Sequence, residues 1–160
     1  MSSLRESIEA VFCDVPHPGD DNLTVYNVEG REYDETFQLL KGTAWKDLRV
    51  NKFIRGDTPF PDLAPKAFHY FMPAFLNAIL DAAADDIVAD SLLFSLAPEN
   101  ARRTEGRFPY DNTVAYNERM ELFNPAQRQV IADVFHECIR REWFAAEEIA
   151  TVFDTLTPKP

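Results

Sequence analysis

Glycine is scarce in this chain. Its five glycines, Gly19, Gly30, Gly42, Gly56 and Gly106, stand apart from one another, so neither a phosphate-cradling loop nor a dinucleotide fingerprint can be assembled from them. Cysteine is scarcer still. Cys13 and Cys138 lie far apart within apolar helical patterns, without the paired spacing of zinc or redox sites, and read as buried free thiols in a reducing, cytoplasmic setting. Long apolar runs are missing too. The greasiest stretch, 71–80, is interrupted by Pro73 and Asn77 and is too short to cross a bilayer, while residues 1–6 lack the apolar core of a signal peptide. Positive charge is in deficit, with 16 Lys and Arg against 27 Asp and Glu and a net charge of −11. That field repels phosphate backbones and anionic membranes, which excludes nucleic acid and membrane as direct partners. It would speed encounter with a basic protein or a cationic ligand, although the same charge also serves solubility.

Catalytic patterns are equally thin. His136-Glu137 invites comparison with the zinc-protease signature, but Arg140 stands where the second histidine is required. Asp133 and His136 have the spacing of a carboxylate–histidine metal pair without a second such pair, and His136 reads as a salt-linked structural residue. His17 and His69 add no partner by spacing. Ser91 and Ser95 lie in an apolar helical run instead of a glycine-rich elbow, so no nucleophile stands out. The acidic clusters at 20–21, 29–35 and 81–90 lack the alternating order and internal glycine of a calcium loop. The expectation is therefore no catalytic residue, no metal and no cofactor.

What is present suits one compact domain spanning 1–160, because 160 residues with 46% hydrophobic side chains can bury a core of their own. The expected fold is mainly α: a single multi-helix domain with a long irregular N-terminal loop, one short strand pair and a frayed tail at 157–160. Ser3 and Glu6 have the spacing of a capping box, ahead of a helix over 3–14 stopped at Val15-Pro16. Residues 20–34 read as a loop with one short edge strand through Val25, Tyr26 and Val28. Asp34 caps a short helix ending at Gly42, and Thr43 caps a turn bearing Trp45 and Leu48. A central helix over 65–84 starts on Pro65, carries Phe68, Phe71, Phe75 and Ile79 as core, and is kinked or divided at Pro73. A further helix over 87–96 ends before Pro98, and 99–113 reads as a long exposed loop. Asn124 caps and Pro125 opens a strong helix with Val130, Ile131, Val134, Phe135 and Cys138 buried. A last helix covers 143–156.

The run Pro65-Lys66-Ala67-Phe68-His69-Tyr70-Phe71-Met72-Pro73-Ala74-Phe75-Leu76, with Trp45-Lys46-Asp47-Leu48 before it and Asn124-Pro125-Ala126-Gln127-Arg128 after it, resembles a bacterial family of unknown function. That family carries a Pro-x-Ala-Phe-x-Tyr-aromatic-Leu-Pro-Ala-Phe-Leu helix between a Trp-bearing segment and a Leu-x-Pro-x-Gln helix. Met72 stands where leucine is usual, and the match covers 45–144. Small acidic helical proteins of this kind are similar to the immunity proteins that bacteria encode beside antibacterial toxins. The resemblance implies a non-catalytic inhibitor and transfers no catalytic residue.

Composition, absent motifs and resemblance agree on an acidic binding protein, an immunity or antitoxin-like inhibitor that neutralises a cognate toxin. Its expected contact surface is the acidic set Asp81, Asp85, Asp86, Asp90, Glu118 and Glu121, facing a basic toxin domain, with aromatic or arginine anchors inside the acidic rim. Asp81 with Asp85, and Asp86 with Asp90, sit one helical turn apart. The alternative is a small-ligand sensor or enzyme with a pocket near the Pro73 helix break.

Overall fold

A computed structural model describes residues 3–24, 35–53, 63–82, 87–103 and 112–157. These residues are mainly helical: α1 Leu4–Phe12, α2 Glu35–Leu40, α3 Val50–Phe53, α4 Pro65–Asp81, α5 Ile87–Leu96, α6 Pro98–Arg103, α7 Asn112–Leu122, α8 Pro125–Arg140 and α9 Ala146–Leu156. Short 3-10 turns cover Asp20–Asn22 and Trp45–Asp47. Instead of a strand pair, the described residues hold one isolated antiparallel bridge, Thr24 to Leu63, beside an Ala64 N–H to Leu23 O bond of 3.1 Å. The edge strand expected at Val25, Tyr26 and Val28 lies outside the described residues, as does most of the tail.

α4 is the axle. It packs against α1, α3, α5, α7, α8 and the Trp45–Asp47 turn, so apolar side chains on nearly every face are covered. Phe68, Phe71 and Phe75 are fully buried, and each such burial contributes about 2–3 kcal/mol. Pro65 opens the helix, where a missing N–H costs nothing. Pro73 does not divide it: α4 runs as one element from Pro65 to Asp81 with Pro73 buried inside. Proline deprives the His69 carbonyl of its usual donor, and close packing on all sides holds the helix through that defect.

The caps follow the sequence where side chain and backbone both fit. Glu6 N–H donates to Ser3 Oγ at 3.3 Å while Glu6 Oε2 accepts from Ser3 N–H at 2.7 Å, the reciprocal cap expected for α1. Asn124 and Gln127 make the same device at the head of α8, at 2.9 and 3.1 Å. Gly42, at φ +64, terminates α2 in a conformation that glycine adopts without a Cβ penalty. Thr43 does not cap the next turn; its hydroxyl donates back to Leu39 O at 3.0 Å, and Ala44 takes the cap position.

Four further expectations change. The loop expected over 99–113 contains α6 and the start of α7, with 104–111 outside the described residues. α7 has no counterpart in the sequence reading because its inner face is Tyr116, Arg119 and Met120, continued by Phe123 just past its end, and an arginine at a core position hides the apolar period. The last helix starts at Ala146, since α8 closes first: Trp143 N–H bonds Cys138 O at 3.0 Å and Glu142 N–H bonds Ile139 O at 2.9 Å, a Schellman end. Cys138 is buried as expected, but Cys13 is exposed just past Phe12, the last core residue of α1.

Three arginines then tie the helices through backbone carbonyls. Arg119, 7% exposed, donates to Leu63 O at 2.8 Å with its guanidinium over the Phe68 ring. Arg128 reaches Phe123 O, Met120 O and Thr155 O, joining the ends of α7 and α9. Arg141 bonds Leu80 O at 3.2 Å, at the end of α4. For Arg128 and Arg141, whose acceptors lie at C-terminal helix ends, the helix dipole favours the cation.

Candidate functional site

Among the described residues no group of histidine, cysteine and carboxylate side chains could hold a metal ion. His69 faces the core, with Nε2 2.9 Å from Gln127 Oε1 and its ring edge-on to Phe123. Burial lowers its pKa, and the Gln127 bond partly opposes that shift. His136 stacks on Phe153, with ring centroids 4.4 Å apart. Asp133 accepts from Gln129 at 2.9 Å, and among the described residues no ion pair reaches His136, which stacks instead of forming the expected salt link. Burial pushes the Cys138 thiol up to about 11, which keeps it protonated and inert near neutrality. Ser95 donates to the backbone of Ser91 inside α5. His17 lies edge-on to Tyr70 and accepts from Gly19 N–H.

Four of the six acidic residues are described, and they lie on three helices, α4, α5 and α7. Asp81 ends α4 and pairs with Arg5. Asp85 and Asp86 lie outside the described residues. Asp90 is exposed on α5. Glu118 and Glu121 are exposed on α7 and, with Asn22, Pro65, Lys66 and Leu122, line an open cleft of about 560 Å³ at the head of α4. At 1.5 Å per residue the 17-residue α4 puts about 24 Å between that cleft and Asp81.

Tertiary structure adds apolar neighbours to these acids. Ile87, Phe94, Val114 and Leu122 are 44%, 43%, 51% and 36% exposed. On α5, Ile87, Asp90 and Phe94 are spaced i, i+3 and i+7, and on α7, Val114, Glu118, Glu121 and Leu122 follow the same rule, so each set shares one helix face. Large apolar side chains ringed by polar groups on an exposed face are the anatomy of a contact surface. Phe94 is an exposed aromatic one turn from Asp90 on α5. Neither it nor the other three was singled out from sequence, because α5 reads as apolar on all sides. The available signal was Asp90: a lone carboxylate in an apolar helix marks the outward face, and Phe94 follows it by one turn.

No curated protein and no solved structure matches the chain. One family model matches residues 1–142, and on that match the chain belongs to DUF6714, a family of unknown function.

Proposed function

We propose that this chain is a non-catalytic acidic binding protein that neutralises a basic protein partner by direct contact, in the manner of an immunity protein or antitoxin. The observation that carries the reading is the α5 face, where Phe94 is 43% exposed one turn from Asp90. Aromatic side chains anchor interfaces through desolvated area, while surrounding charges steer encounter and set register. The net charge of −11 directs that steering toward a basic surface. The likeness of small acidic helical proteins to immunity proteins supports the same reading, while the Phe-x-Tyr-aromatic-Met-Pro-Ala-Phe-Leu side chains do structural work in α4. The α7 face with Glu118 and Glu121 offers a second acidic contact at the other end of that helix.

The product of the neighbouring gene is the partner to test, by surface-immobilised binding kinetics across a salt series. Association slowing by about tenfold as salt rises through the physiological range, further slowed by Asp90→Lys, supports steering. Faster dissociation of Phe94→Ala supports the anchor. Binding that ignores salt and both substitutions overturns this surface as the contact.

A further inference from the structure

Beside the C-terminal half of α4 lies a hollow of about 330 Å³ with a tryptophan wall and both charge signs on its lining. The small side chains Ala74, Ala78 and Ala82 and the apolar Leu48, Val50 and Val88 line it, and we take the three alanines of the α4 stretch as its floor. Trp45 is placed by α4 itself, since its backbone N–H donates to the Tyr70 hydroxyl at 3.4 Å. Asn77 and Asp81 from α4 and Lys46 from the Trp45–Asp47 turn complete the lining. Arg5 reaches both Asp81 and Asn77, and Lys46 pairs with Glu9 while its ammonium lies 5.4 Å from the Trp45 ring centroid.

We propose that this hollow binds a small apolar zwitterion of amino-acid size, with its ammonium on Asp81, its carboxylate on Lys46 and its side chain on the alanine floor beside Trp45. Size narrows the class: small-molecule sites occupy about 300–1,000 Å³, and this one lies at the lower end, too small to enclose a nucleotide. Charge narrows it further, because a lining carrying both signs complements a ligand carrying both. The exposed Lys46–Glu9 pair contributes little to stability, so Lys46 exchanges Glu9 for a ligand carboxylate at small cost. The carboxylate of Asp81 has a second oxygen beyond the one that Arg5 engages. The proposal stands apart from the partner reading, whose anchor Phe94 takes no part in the hollow.

Trp143→Phe leaves Trp45 as the single tryptophan of the two in the chain, and its fluorescence reports the hollow directly. Leucine is the probe, with N-acetylleucine and leucinamide as versions lacking one charge each. The expected result is a saturable change with leucine at a dissociation constant on the order of 1 mM, at least about tenfold weaker for either capped compound. Ala78→Leu fills the floor and abolishes the response while circular dichroism is unchanged. If that variant fails to fold, Asp81→Asn serves, and leucine weakens by about tenfold while N-acetylleucine does not. No saturable response to leucine, equal responses to all three compounds, or a response that survives both substitutions overturns the site.

Discussion

The imidazole Nε2 of His69 lies 2.9 Å from Oε1 of Gln127, which joins α4 to α8. Gln127 Nε2 donates to Val11 O at 2.9 Å, leaving Oε1 to accept, so the proton on His69 sits at Nε2. A second proton would have to enter at Nδ1, in the ring environment of Phe12 and Phe123. The folded-state pKa therefore lies below the ordinary 6.5. Between the two values the unfolded chain binds more protons, so stability is full above about pH 6.5 and falls as pH drops toward the folded value. Melting temperature followed downward from neutrality should show this loss, and His69→Leu should flatten that part of the curve.

Gln127 serves the core and the head of α8 at once. Only 3% exposed, it holds His69, Val11 O and the Asn124 N–H. Gln127→Ala strands all three partners and should cost about 2–4 kcal/mol in urea unfolding. Gln127→Glu keeps the Asn124 cap but turns an acceptor toward Val11 O, and should still lose about 1–3 kcal/mol.

Arg128 is expected to be irreplaceable by lysine. Three carbonyls on α7 and α9 converge on one planar guanidinium, and an ammonium cannot span that fork. Arg128→Lys should lower stability by about 1–2 kcal/mol and Arg128→Ala by about 2–4 kcal/mol. Hydrogen exchange should quicken at the C-terminal ends of α7 and α9 in both variants.

Glu142 carries a left-handed φ of +61 at the end of α8. Its N–H bond to Ile139 O does not involve the side chain, so Glu142→Gly keeps the closure and removes the Cβ strain. The expected gain is about 0.5–1 kcal/mol, read from the denaturation midpoint. An unchanged or lowered midpoint contradicts it.

Glu137 governs a separate and more acidic window. Arg140 and then Arg141 hold its carboxyl down to about 2, from 4.5. Its contribution is complete above about pH 4.5 and disappears as pH falls through 2. Glu137→Gln should leave the His69 step intact and flatten the curve in this lower range.

Periodicity and caps made much of the helical framework legible. Ser3 with Glu6 and Asn124 with Gln127 are local devices, complete within four residues, and the structure closes both. Pro65 and Gly42 act through their own backbone limits, so their places as start and stop also follow from sequence. α7 was lost because its pattern depends on Arg119, a cation that belongs at a core position only if Leu63 O and the Phe68 ring receive it. Those partners are far away in the chain, and no local pattern announces them.

Sequence alone determined the helical class, the charge of −11, the absence of glycine-rich and paired-cysteine motifs, and the local caps, because each depends on neighbouring residues or on composition. Tertiary structure decided the rest. It carried α4 unbroken past Pro73, set Asp81 and the Glu118–Glu121 pair at opposite ends of one helix, and left Phe94 outside the core. It also gathered Trp45, Lys46, Asn77 and Asp81 around one hollow. The physical reason is that helix periodicity specifies which side chains share a face, whereas whether that face meets another helix or water depends on packing between segments distant in the chain.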